Sequence, residues 1–193
     1  MKDLSEIKGN ANIKRIIEIA AAGNFNVLLL GPMSSGKRTL IKILAYLKTS
    51  CHKVPKLDDR KSYNCGCRLQ ECECKKEDRV AFRRHIYTSA RCDLFAELQY
   101  PTFEQLASES KLETTEIVLN RIVKNHIEVT YSDMTLSREC ESLLKTAYSR
   151  LGLAPFDFFK IKEISRVIAN LEKANQIQAA HVAEAIQYRI FEI

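Results

Sequence analysis

An α/β fold with few parallel strands and a helix-rich C-terminal half is what this sequence predicts, and three observations carry the prediction. The apolar run Asn26 to Leu30 is continuous rather than alternating, as in a strand covered on both faces. It breaks into Gly31-Pro32-Met33-Ser34-Ser35-Gly36-Lys37, the Gly-x-x-x-x-Gly-Lys spacing of a phosphate-binding loop, and a helical pattern opens at once. From Leu119 onward apolar residues recur three and four apart, the period of amphipathic helices.

Taken in order, Lys14 to Ala22 places Ile16, Ile17, Ile19 and Ala20 on one helical face, and Gly23 stops it. The strand and its loop follow. Leu40, Ile43 and Leu44 then mark a helix over residues 36–48. Between Thr49 and Ser62 periodicity gives way to Lys, Asp, Pro and Ser, the composition of a linker. A cysteine-rich stretch leads into a basic helix from about Lys75 to His85, and Leu94 to Tyr100 reads as a strand ended by Pro101. The remaining stripes are Leu119, Ile122, Val123 and Ile127; Leu143, Leu144, Ala147, Tyr148 and Leu151; Ile161, Ile164, Ile168 and Leu171; and Val182, Ala185 and Ile186. Together they make a small helical bundle, and the stripes read as core.

Composition narrows the function classes. A chain of 193 residues, 46% of them hydrophobic, suits one sizeable domain or two small ones. No apolar run is long enough to span a bilayer, and no leader precedes the first helix, so the expected location is cytoplasmic with no membrane partner. Seven cysteines without a secretory signal argue for thiols or metal ligands. A net charge of +6 mildly favours anionic partners.

The chemistry concentrates in three places. A strand ending in a glycine turn aims backbone N–H groups into one small volume at a helix N-terminus, where the dipole also favours an anion. Gly31, Gly36, Lys37 and Thr39 would hold the phosphates of ATP or ADP, with Pro32, Ser34, Ser35 and Arg38 in the same binding loop and Lys37 reaching the β- and γ-phosphates. The next position, where a hydroxyl normally ligates Mg²⁺, is Arg38, and Thr39 comes one residue late. Cys65-x-Cys67 and Cys72-x-Cys74 gather four soft ligands that suit Zn²⁺, with free surface thiols as the alternative. Cys51 and His85 are spare ligands, whereas Cys92 and Cys140 read as small buried hydrophobes. Third, Lys75, Arg79 and Arg83 fall on one helix face, with Lys76 and Arg84 beside it. That stripe makes nucleic acid a candidate partner, against an ordinary solvated face, and Tyr87 is the nearby aromatic.

Beyond these motifs the chain resembles the Mg-chelatase-like AAA+ ATPases, especially the competence-associated, ComM-like branch. Asp3-Leu4-Ser5-Glu6-Ile7-Lys8-Gly9, Lys14-Arg15 and Ile17 to Gly23 are similar to that branch's entry into its phosphate loop. The likeness resumes at Cys65-Gly66-Cys67, Cys72-Glu73-Cys74 and Arg91-Cys92-Asp93-Leu94, and ends in Ile168-Ala169-Asn170-Leu171 and His181 to Arg189. The resemblance implies a hexamer-forming ATPase in which Ile7 and Gly9 flank the adenine and Arg91 faces a neighbour's nucleotide. It also exposes departures. Arg38 replaces a threonine, residues 49 to 62 hold no apolar strand followed by Asp-Glu, and Ala154-Pro155-Phe156 with Lys160 stands where the lid carries Ser-Ala-Arg and a second arginine. Arg166 matches a structural arginine.

The resulting expectation is a truncated relative with a reduced AAA+ core. Residues 1–50 would be its phosphate-loop half, 51–63 a linker at an internal deletion, 64–110 the cysteine knuckle, basic helix and last core strand, and 111–193 the helical lid. Asn26–Leu30 and Leu94–Tyr100 would pair as a two-stranded sheet with the first of them an open edge, favouring self-association. The function expected is phosphate binding with weak or absent hydrolysis, since the Mg²⁺-ligating hydroxyl, the acidic strand and the lid arginine are missing; whether the chain is an enzyme stays open. The alternatives are an interaction module that joins rings of full-length relatives, making homo- or hetero-oligomers, and a zinc-stabilised nucleic-acid-binding fragment.

Overall fold

A computed structural model describes residues 3–67, 73–89, 92–108, 113–125 and 131–190. The expected α/β class is what it shows. After a 3-10 turn at Leu4–Glu6, helix α1 (Ala11–Ala22) leads into strand β1 (Val27–Leu30), helix α2 (Lys37–Cys51), strand β2 (Arg60–Ser62), helix α3 (Lys76–Ser89) and strand β3 (Leu94–Glu97). The rest of the described chain is helical: α4 (Phe103–Ala107), α5 (Thr115–Asn125), α6 (Arg138–Leu151), α7 (Pro155–Leu171) and α8 (Ala179–Arg189), with a second 3-10 turn at Tyr131–Met134.

The sheet corrects one expectation. Its order is β2-β1-β3, all parallel, so β1 is the centre of the sheet and not an open edge. The expected linker supplies the third strand. Arg60-Lys61-Ser62 is short and largely exposed, which suits an edge, and charged residues there discourage pairing with another chain. A buried ion pair anchors it: Lys48 of α2 donates to Asp59 at 2.8 Å, and the same Asp59 oxygen accepts from the Val27 backbone N–H at 3.2 Å.

Burial on β1 follows the two-residue period. Val27 and Leu29 enter the main core with α1, α2 and the C-terminal helices. Leu28 and Leu30 face the other way, against Phe95, Cys92, Ile86 and Tyr87, so α3 covers the second face. That explains why the run is apolar at every position. The C-terminal helices share the main cluster with α1 and α2 rather than forming a core of their own. At the joint, Arg189 of α8 meets Asp157 of α7 at 2.7 Å and donates to the Cys92 carbonyl at 2.7 Å.

Candidate functional site

Parallel strands deliver their carboxyl ends to one edge of a sheet, which is where ligands bind in open α/β folds. Leu30 lies level with Ser62 on one side and Glu97 on the other. The residues that follow, Gly31, Tyr63 and Leu98, therefore leave the sheet together, and the phosphate loop forms between the other two connections.

The loop has the backbone its motif requires. Gly31, Ser34 and Gly36 carry positive φ angles of 152°, 63° and 94°. At Gly31 a Cβ would sit 3.0 Å from both the Leu98 carbonyl and its Cβ, so the approach of strand β3's continuation demands glycine. Gly36 then precedes the first turn of α2, whose leading amides point into the loop. Ser35 and Lys37 are buried, Pro32 and Thr39 half-buried, and Met33, Ser34 and Arg38 exposed.

Lys37 is turned into the loop. Its ammonium donates to the Gly31 carbonyl at 2.7 Å, the Pro32 carbonyl at 2.6 Å and the Ser35 hydroxyl at 3.4 Å. The Tyr63 ring lies 4.7 Å from it, measured to the centroid. Burial, and then repulsion from Lys61, lower its pKa below the ordinary lysine value. On the opposite flank the Tyr100 hydroxyl donates to the Met33 carbonyl at 2.6 Å. Each neighbouring strand thus sends a tyrosine to the loop. Neither was anticipated: β2 has no apolar pattern to announce it, and without β2 Tyr63 has no address.

The segment ahead of α1 reaches the same edge. Asn10 accepts from the Gln99 amide and donates to its carbonyl, both at 3.0 Å. Gly9, with φ of 65°, packs so closely on Gln105 and Pro101 that a Cβ would meet the Gln105 side chain at 2.6 Å. Ile7 is half-buried against the main core. Gly9 and Asn10 are thereby held by the segment that also touches the phosphate loop. Arg91 and Cys72 lie outside the described residues.

The cysteine turn follows Tyr63 directly. Cys65, Cys67 and Cys74 bring their thiols within 4.8 Å of one another, and the first two sulfurs are 2.8 Å apart. In that contact either thiol can donate to the other. Four sulfurs at about 2.3 Å from zinc would be about 3.8 Å apart, so the three could hold a tetrahedral metal once Cys65 and Cys67 move about 1 Å apart. Gly66, at φ of 78°, permits the turn, and a Cβ there would meet the Phe82 ring of α3 at 2.8 Å. Among the described residues no other such cluster occurs, and Cys51 and His85 do not join it. Cys92 and Cys140 are buried, as expected. Burial pushes the Cys92 thiol up to about 12.

Beside this turn a cavity of about 230 Å³ is lined by Asn64, Lys76, Arg79, Val80, Arg83 and Glu97. Two features bear on the cationic-stripe expectation. Arg83 is engaged by Glu97 through a two-pronged bridge at 3.1 and 3.0 Å. Tyr87 is half-buried and packs 5.5 Å from Phe95 under the sheet, so part of its ring is taken up by the core. Lys75, Lys76, Arg79 and Arg84 stay exposed.

Against known families, residues 3–90 match the profile described as magnesium chelatase, subunit ChlI, and residues 108–189 match magnesium chelatase, subunit ChlI C-terminal. The chain carries both domains of the ChlI family. No curated protein matches it. The N-terminal ChlI match spans the residues of the phosphate loop, β2 and the cysteine turn. In the C-terminal ChlI match, Phe156 is exposed and Lys160 bridges Asp93 at 3.3 Å and Glu163 at 2.6 Å. Arg166 donates to Asn170 and to the carbonyls of Ala174 and Asn175, the structural part expected of it. His181 accepts from the Gln178 amide and contacts Glu172, holding the entry to α8. No helix among the described residues is long and apolar enough to cross a membrane.

Proposed function

We propose that this ChlI-family chain binds the phosphates of ATP or ADP at the turn from Gly31 to Thr39 and hydrolyses ATP weakly or not at all. The observation that carries the reading is the loop itself. Three positive-φ positions, a lysine at its mouth and a helix N-terminus converge at the carboxyl edge of a parallel sheet. Turnover needs more: a Mg²⁺ ligand after the lysine and carboxylates that position metal and water. Arg38 is exposed at the first place, and the strand flanking β1 on the α2 side is Arg60-Lys61-Ser62. The acid nearest that strand, Asp59, is buried and bound to Lys48. Phe156 at the lid position brings no positive charge to a γ-phosphate.

We further read the chain as a shortened, ComM-like relative, with residues 51–63 bridging what was removed and 111–193 acting as its lid. In this reading Ile7 and Gly9 flank the base, Arg91 faces a neighbouring subunit, and Cys65, Cys67, Cys72 and Cys74 hold zinc as a structural knuckle. Its partners are other copies or intact relatives, and the exposed Lys76 and Arg79 leave a nucleic-acid contact as the weaker second reading. The test is thermal unfolding in ADP and ATP, with and without Mg²⁺, beside phosphate release. Both nucleotides are expected to raise the Tm with little dependence on Mg²⁺. The rise should shrink sharply in Lys37→Ala. Magnesium-dependent turnover like that of an intact ATPase would overturn the inactive part of the reading.

A further inference from the structure

The phosphate loop and the cysteine turn are joined by two residues. Tyr63, whose ring lies over the Lys37 ammonium, is followed by Asn64 and then by Cys65, the first of the gathered thiols. Gly66 packs on Phe82, which seats this short connection against α3, while the Asn64 side-chain oxygen is buried without a hydrogen-bond partner. In the same conformation Lys37 directs its donors to Gly31, Pro32 and Ser35. A phosphate bound in the loop needs that ammonium turned outward, away from the two carbonyls and past the ring.

We infer that metal binding at the cysteine turn and phosphate binding at the loop oppose each other, with Tyr63 as the link; this rests on the phosphate-binding reading above. The gathered thiols and the ring-covered lysine occur in one conformation. A divalent metal clamping Cys65 to Cys67 and Cys74 stabilises that turn and, two residues away, holds the ring where it covers the ammonium. Metal thus favours the inward lysine and phosphate favours the outward one. Two ligands that select different states of one element weaken each other by the same factor. Zinc suits the thiolate set. The device would let metal availability set nucleotide occupancy.

The experiment uses the full chain, fully reduced, measuring ADP affinity by fluorescence after metal stripping and again with one equivalent of Zn²⁺. The metal-free protein is expected to bind ADP at least about fivefold more tightly, the low end of ordinary coupling between sites. Tyr63→Ala should bind zinc with unchanged stoichiometry and ADP equally well in both forms. Tyr63→Phe keeps the ring and should keep the difference, while melting curves verify that each variant is folded. Equal ADP affinity in the two wild-type forms overturns the linkage alone, and so does a difference that survives in folded Tyr63→Ala. Failure to bind zinc also overturns it. Absence of ADP binding in either form overturns the phosphate-binding reading and the linkage with it.

Discussion

Lys48 and Asp59 form an ion pair with side chains 0% and 2% exposed, an arrangement with costs on both sides. Burial pushes the lysine pKa down and the aspartate pKa up, while their hydrogen bond and mutual attraction work the other way. One Asp59 oxygen has no partner, so the desolvation is only partly offset. Removing one member strands the other charge. Asp59→Ala is expected to destabilise by about 3–5 kcal/mol in urea unfolding, whereas Lys48→Met with Asp59→Leu should recover most of the loss. A second residue-scale expectation concerns acid. Desolvation alone would raise the Asp3 pKa, but hydrogen bonds from Ser5 and Thr115 outweigh it and hold the carboxyl well below its ordinary 3.8. A depressed acid stabilises the fold above its unfolded pKa and loses that contribution as pH falls toward the folded one. The gap in urea midpoint between wild type and Asp3→Asn should therefore be full at pH 6 and shrink below about pH 4.

At the scale of elements, Gly66 is where the cysteine turn and α3 meet. Gly66→Ala would force a Cβ onto the Phe82 ring and strain a positive φ, so zinc stoichiometry measured by atomic absorption is expected to fall well below one per chain. Leu29→Ala in β1 should cost about 2–5 kcal/mol, since the side chain is fully buried in the main core. These elements differ in how plainly the sequence announced them. Strand β1, its loop and the amphipathic helices were legible because burial imposes a period on apolar residues. Strand β2 was not: Arg60-Lys61-Ser62 is a three-residue polar edge whose pairing comes from the parallel register with β1 and from the Lys48–Asp59 bridge. Missing it made β1 look like an edge and hid Tyr63 at the site. Helix α3 was foreseen as a cationic face, yet Ile86 and Tyr87 on its other side cover Leu28 and Leu30. A sparse apolar stripe among many charges gave little warning of that.

For the molecule as a whole, the continuity of the core matters most. Val27 and Leu29 of the sheet, Ile13 and Ile17 of α1, and Ile164, Ile168 and Ala185 of α7 and α8 belong to one cluster. Arg189 ties that cluster's C-terminal side to the start of β3. Unfolding is accordingly expected as one cooperative transition, with circular dichroism and tyrosine fluorescence giving the same midpoint. A fragment ending at residue 110 should fail to fold, because it would expose the faces that α5, α7 and α8 cover. The sheet no longer offers its most apolar strand as an open edge, so self-association, where it occurs, has to use other surfaces. What remains at the centre of the account is a glycine turn that grips phosphate without the groups that activate water. Isothermal titration of ADP into reduced, metal-free wild type and Lys37→Ala tests this most directly. The account predicts saturable one-to-one binding to wild type, at least about tenfold weaker in a folded Lys37→Ala; no heat of binding to folded wild type at millimolar ADP would contradict it.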